Sequence, residues 1–263
     1  MKKPVKAAGA LAGLALLYFL LVLMADGLLS DRRSLGAGWE NQLGDLLWEE
    51  LRSLYRESRD STLTAMTGDI MQHLAEANGM DPDSLHLHIL HAPEPNAVAL
   101  PGGHVVVFTG LLRLTDTPEE FAAVLAHEMA HIQLNHISEK LLKEAGITMI
   151  LAAAGGGSEI SRLAAMLLSN AFSREAEQEA DLRAVILLEN ACIDPQGLVS
   201  ILQRFAAGDA ALPEMPEWLS THPLSKERVE YVRAALNKQQ HRQTYCEVPG
   251  ADRWETVRKA VEW

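Results

Sequence analysis

The sequence predicts an α+β domain that is mostly helical and carries a small sheet. Three observations lead there: leucines recurring at threes and fours early in the chain, a short β-branched stretch around a Pro-Gly-Gly turn, and helical apolar spacing almost everywhere after it. In chain order, residues 38–79 read as helical, with Leu43, Leu46, Leu47, Leu51 and Leu54 on one face. His86 to His91 alternates as a strand does. Pro93 and Pro95 follow, then Val98-Ala99-Leu100-Pro101-Gly102-Gly103 and the run Val105-Val106-Val107-Phe108, which together fit two or three short strands. Thr117, Pro118 and Glu120 supply an N-cap, a first-turn proline and a capping-box acid, so a helix is expected from there to about Glu139. An apolar helix lies between Glu144 and Glu159 and ends in three glycines; it is too short to span a bilayer. One helix is expected over about Ile160 to Glu189, another after the Asp194-Pro195 cap, and another from a Ser225 cap to about Gln240. Trp254, Val257, Ala260 and Val261 make a terminal amphipathic turn or two.

Ahead of these elements, Lys2, Lys3 and Lys6 precede an uncharged run from Ala7 to Ala25. At helical rise that run covers roughly 28 Å, about the hydrocarbon thickness of a bilayer. The whole chain has a formal charge of −12, and setting the three lysines aside leaves −15 on the part beyond the run. Lysines before an apolar stretch and an acidic remainder after it place residues 1–6 in the cytoplasm and 26–263 across the membrane. An uncleaved signal anchor in the bacterial inner membrane, single-pass, with a periplasmic domain, is the expectation. Its rival is a soluble periplasmic protein left after signal-peptide cleavage, but Leu23-Met24-Ala25 lacks the small-x-small pattern of a cleavage site.

Composition narrows the function. The chain has 263 residues, 48% of them apolar, enough for a real core and too many for a disordered chain. Thirty-five acidic against 23 basic residues argue against a nucleic-acid partner, which needs a basic face. Two cysteines, Cys192 and Cys246, exclude a zinc ribbon or finger; outside the cytoplasm they can form a disulfide, and in a reducing compartment they are two buried thiols.

The strongest local signal is His127-Glu128-Met129-Ala130-His131. Residues four apart stack on one helix face, so both imidazoles reach one Zn2+, while Glu128 sits beside the ion as a general base. The apolar run Phe121 to Ala126 around the motif makes two histidines and a glutamate there an unfavourable choice for packing alone. Catalytic zinc needs a third protein ligand. His136 lies about 140° around a continuous helix from His131, off the metal face, and reads as a supporting histidine. Within Ser173 to Asp181, Glu177 with Asp181 four residues on makes a ligand plus a carboxylate that orients a zinc histidine; Glu175 and Glu179 are rivals on composition.

HExxH, the Glu-x-x-Ala-Asp helix, Leu100-Pro101-Gly102-Gly103 upstream and Thr221-His222-Pro223 downstream together resemble peptidase family M48, the HtpX-like, BepA-like and CAAX-prenyl-protease-like zinc endopeptidases. The likeness covers about residues 60–240. It implies a zincin-like (gluzincin) fold in which His127, His131 and Glu177 hold one zinc, Glu128 is the base and Asp181 steadies a ligand. It further implies that the strand beside Leu100, Pro101, Gly102 and Gly103 lies along the cleft and pairs with an extended substrate. His222 falls near the metal by the same likeness, either as an oxyanion donor or as an occupant of zinc's fourth position that keeps the site shut.

Several membrane spans of the HtpX-like and CAAX-protease-like relatives have no counterpart between the two motifs, which favours the periplasmic BepA-like members. No tetratricopeptide-type repeat follows residue 240. The expected protein is therefore a zinc metalloendopeptidase for unfolded or misassembled envelope proteins. A non-proteolytic chaperone-like or binding module with a closed zinc site is the competing expectation.

Overall fold

The computed structural model describes residues 38–153, 155–207, 218–223, 226–238 and 244–261. The expected anchor at 7–25 and the Ser225 cap lie outside the described residues. Among the described residues, no helix is long and apolar enough to cross a membrane.

The first predicted helix is in fact two. α1 (Trp39–Leu54) ends where Tyr55 turns extended, the short strand β1 (Arg56–Glu57) follows, and α2 (Ser61–Ala77) restarts at Asp60, whose carboxylate accepts from the N–H groups of Thr62 and Leu63 at 2.8 and 3.0 Å. Such a cap satisfies donors that a continuous helix would have used itself, so the leucine period runs on while the backbone does not. β2 (His86–His91), β3 (Ala97–Ala99) and β4 (His104–Phe108) form with β1 a four-stranded sheet in the order β1-β2-β4-β3. β2 and β4 are parallel, with His86 opposite His104, and β3 runs antiparallel to β4, with Val98 opposite Val106.

All five β4 residues are buried because helices cover both faces. Val105 and Val107 point into the larger core, with α2 and the helices that follow α3 (Thr109–Leu114). Val106 and Phe108 point into the second core, against α1. α1 presses on the Pro101–Gly103 turn so closely that a Cβ at Gly44 would meet the Pro101 carbonyl oxygen at 2.0 Å, and one at Gly102 would meet the Asn41 Cα at 2.8 Å.

α4 (Pro118–Gln133) begins as the sequence predicts. Thr117 Oγ1 accepts from Glu120 N–H at 3.3 Å, and Glu120 in return accepts from Asp116 N–H at 2.7 Å. It stops six residues short of Glu139, because Asn135 takes a left-handed conformation (φ 60°) and α5 (His136–Glu144) starts afresh. α6 (Gly146–Ala153) is the short apolar helix. The helix expected over 160–189 is also divided, into α7 (Ser158–Ser169) and α8 (Arg174–Asn190), where Ser173 Oγ accepts from Ala176 N–H. Asp194 caps α9 (Gln196–Ala207) as expected. α10 (Trp218–Thr221), α11 (Lys226–Lys238) and α12 (Trp254–Ala260) complete the domain. Cys192 and Cys246 are joined in a disulfide across 54 residues, and Cys246 N–H donates to the Cys192 carbonyl at 2.7 Å.

Candidate metal centre

α4 enters the core on every side, so His127, Glu128 and His131 are buried with Phe121 to Ala126 around them. α8 packs on α4 and turns Glu177 and Asp181 inward, while Glu175 and Glu179 remain exposed. The short helix α10 delivers His222, whose N–H donates to the Trp218 carbonyl at 2.8 Å. His127, His131, Glu177 and His222 are the one group among the described residues whose ligand atoms all stand within 4.8 Å of one another.

The separations suit a tetrahedral ion. His127 Nε2 is 3.1 Å from His131 Nε2 and 3.2 Å from His222 Nδ1. Glu177 Oε1 is 2.9 Å from His222 Nδ1 and 3.4 Å from His131 Nε2, and Glu177 Oε2 is 3.7 Å from His127 Nε2. Ligands at zinc's usual bond length stand about 3.3–3.4 Å apart, so these atoms already bracket one point. Burial lowers the pKa of all three histidines, that of His131 to about 3 and that of His222 to about 4, which leaves neutral rings with lone pairs to share. Glu177 stays ionised. Burial opposes its charge, but His222, His131 and Arg228 outweigh that and hold its pKa well below the ordinary value. Two imidazoles and a carboxylate, with a third imidazole, are the donor set of a borderline-soft divalent metal. The residues fit zinc.

Asp181 stands behind His127, its Oδ1 3.0 Å from His127 Nδ1, as a carboxylate that fixes the tautomer does. Burial works against its charge too, yet Arg228 and His127 bring its pKa down to about 2. His136 does support the site, by a route other than the continuous helix assumed in the sequence reading. The break at Asn135 swings it back so that its Nδ1 lies 3.0 Å from His131 Nδ1, and its Nε2 lies 3.2 Å from Glu179.

Glu128 lies beside the ligand cluster, its Oε1 3.4 Å from His222 Nε2. Its carboxylate accepts from Ala99 N–H at 3.0 Å and from Trp218 Nε1–H at 3.3 Å, and burial raises its pKa to about 8. Leu100, Pro101 and Gly103 are buried beneath α1. β3 just before them presents the sheet's free edge: Asn96 and Leu100 bond to β4, so alternation turns the main-chain groups of Ala97 and Ala99 outward.

Sequence reasoning missed two residues. Arg228, buried, reaches Glu177 Oε2 at 2.6 Å, both Asp181 oxygens at 2.7 and 2.8 Å, and the His222 carbonyl at 3.2 Å. Trp218 stacks on His222 at 4.6 Å between ring centroids and donates its main-chain N–H to the Pro95 carbonyl. A buried Asp181 demands a cation, and Arg228, six residues past His222, was a candidate; spacing alone does not choose it.

A match to the description "Peptidase family M48" spans residues 62–236. The mitochondrial metalloendopeptidase OMA1 of Schizosaccharomyces pombe is 32% identical over 182 residues, 67% of this chain and 54% of that protein. The human metalloendopeptidase OMA1 is 31% identical over 222 residues, 76% of this chain and 42% of the relative. The beta-barrel assembly-enhancing protease of Escherichia coli is 27% identical over 220 residues, 78% of this chain and 45% of the relative. The chain thus spans about half the length of the curated relatives it matches. Those relatives carry metallopeptidase names, the family match includes HExxH, Glu177 and His222, and on that footing the chain belongs to peptidase family M48.

Proposed function

We propose that the chain is a zinc metalloendopeptidase for unfolded or misassembled envelope proteins, kept latent by His222. The observation that carries this reading is the convergence of His127, His131, Glu177 and His222 on one point, with Glu128 beside the four and hydrogen-bonded to β3 through Ala99 N–H. Zinc held there supplies a Lewis acid for the scissile carbonyl and the attacking water. Glu128 takes the water's proton and passes it to the leaving amine. Ala97 offers its main-chain groups and Ala99 its carbonyl to an extended substrate, while the Ala99 N–H is held by Glu128, and Asn96, buried with no hydrogen-bond partner for its side chain among the described residues, stands at the same edge. Asp181 and His136 orient the two ligand histidines.

Latency follows from position. His222 fills the fourth corner, and Trp218 engages both Glu128 and the Pro95 carbonyl beside β3, where a substrate strand must lie. The lysine-flanked run 7–25, the acidic remainder and the Cys192–Cys246 disulfide support a single-pass inner-membrane protein with its domain in the periplasm, the alternative being a soluble periplasmic protein after cleavage. The likeness to the beta-barrel assembly-enhancing protease supports envelope proteins as substrates.

The test compares casein cleavage and bound zinc in wild type, Glu128→Gln and His222→Ala. Glu128→Gln is expected to keep zinc and lose cleavage by about a hundredfold or more, and His222→Ala to keep zinc and cleave faster than wild type. Undiminished cleavage by Glu128→Gln overturns the mechanism. The complete burial of His222 favours one further reading, a chaperone-like or binding module with a closed zinc site. Inactivity of both wild type and His222→Ala, each with zinc bound, selects it.

A further inference from the structure

A cavity of about 330 Å³ opens beyond the end of β3, outside the ligand cluster but joined to it through the chain on two sides. Leu100, which follows Ala99 at the substrate edge, forms one wall, and Ile132, which follows the ligand His131, forms another. Leu85 and Ile137, both buried, complete an apolar floor. The Pro101–Gly103 turn closes a further side with backbone alone: Gly102 and Gly103 take positive φ, 73° and 82°, and have no side chain to fill the space. The volume lies near the lower limit for a ligand pocket, which suits one long side chain.

The rim carries charge of one sign. Glu40 of α1 and Asp83, in the turn before β2, line the cavity, and among the described residues neither has a lysine or arginine within ion-pair distance. Glu40 accepts from Ser138 Oγ, and Asp83 is exposed. No lysine or arginine lines the cavity among the described residues. An extended substrate reaches this place by continuing along β3. In antiparallel pairing, the commoner kind, it runs opposite to Ala97–Ala99, so residues on the N-terminal side of the scissile bond arrive at Leu100. Glu128 meets β3 at Ala99, which sets that bond near this end of the strand. At 3.3 Å or so per residue, the cavity then takes a side chain roughly two to four residues before the bond.

We propose, resting on the peptidase reading above, that this cavity is a subsite for a lysine or arginine side chain of the substrate, selected by Glu40 and Asp83. The hydrocarbon stem lies along Leu100 and Ile132 while the cationic head reaches the two carboxylates. A glutamate at the same substrate position meets like charge and is rejected.

The test uses the full chain, zinc-loaded and carrying Glu128→Gln with His222→Ala, so that peptides bind without being cleaved. Fluorescence anisotropy compares labelled peptides that differ only in Lys, Gln or Glu at one position, moved along the peptide; cleavage by His222→Ala alone locates the scissile bond. The best Lys peptide is expected to bind about tenfold more tightly than its Glu counterpart, and less so at high salt. Glu40→Gln, which keeps an acceptor for Ser138, and Asp83→Asn, a change at an exposed residue, are each expected to cut that preference about threefold with zinc content unchanged. Asp83→Lys is expected to turn it toward Glu. Equal affinity or no binding for the three peptides, a preference that survives Glu40→Gln combined with Asp83→Asn, or one confined to residues after the bond overturns the proposal. A Lys preference in binding without cleavage by His222→Ala sinks the peptidase reading and keeps the cavity as a site for basic peptides.

Discussion

The two histidine groups of this domain are built by opposite means. His127, His131 and His222 sit on or beside helices, wholly buried, and the carboxylates of Glu177 and Asp181 beside them share the buried guanidinium of Arg228. His86, His88 and His104 stand on adjacent parallel strands, with His88 Nε2 2.9 Å from His104 Nδ1, and the carboxylates beside them reach in from outside: Asp45, 3.3 Å from His104, is 74% exposed, and Glu57, 3.8 Å from His88, is 41%. The helix group is therefore held by interactions that are strong because water is excluded, and the sheet group by contacts that water competes for. What separates them is how much each loses when one partner is taken away.

The largest expected effect is at Arg228. Arg228→Leu strands two buried carboxylates, so chemical denaturation of metal-free protein should show a loss of about 3–5 kcal/mol. A loss under 1 kcal/mol would mean that the helix group is not internally matched. Next comes acid. The folded pKa of Asp181, about 2 against an ordinary 3.8, adds stability above about pH 4 that is lost as pH falls through about 2. The depression is worth about 2 kcal/mol, and Asp181→Asn should remove that part of the acid dependence.

A smaller effect belongs to the cap that starts the HExxH helix. Thr117→Ala should lower stability by about 1 kcal/mol while leaving zinc content unchanged. Asp45→Asn on the sheet side should cost less than about 1 kcal/mol in metal-free protein, which sharpens the contrast with Arg228. His88 adds a pH signature of its own. Its folded pKa lies below the unfolded 6.5, so its contribution is present above about pH 6.5 and lost as pH falls toward 3. Trp48 stacks on the His88 ring at 3.7 Å between centroids, so monitoring Trp48 fluorescence through that range tests it, and a flat profile would deny that His88 titrates against the stack.

How far the fold was legible in the sequence differs from element to element. Alternation and β-branching identified β2 and β4, and the Thr117-Pro118-Glu120 signal placed the start of α4 to the residue. Helix ends were read less well. Asp60, Asn135 and Ser173 interrupt apolar periods that continue across them, because a capping side chain competes for backbone donors and a left-handed residue redirects the chain without disturbing the apolar spacing. At the site, HExxH and the Glu177–Asp181 pair were visible because one helix face repeats every three or four residues. Arg228 beside Asp181, and Trp218 beside Glu128, come from separate helices and had no such period to reveal them.

By itself, the sequence determined the local matters: which stretches are helix or strand, which histidines share a face, and which chemistry that spacing allows. Only the tertiary structure decided which atoms of His127, His131, Glu177 and His222 meet at one point, that Trp218 reaches Glu128, and that Arg228 pairs with the carboxylates of Glu177 and Asp181. The reason is range. Propensity and capping act within a turn or two, whereas pairing a buried charge depends on which surfaces the hydrophobic core brings together.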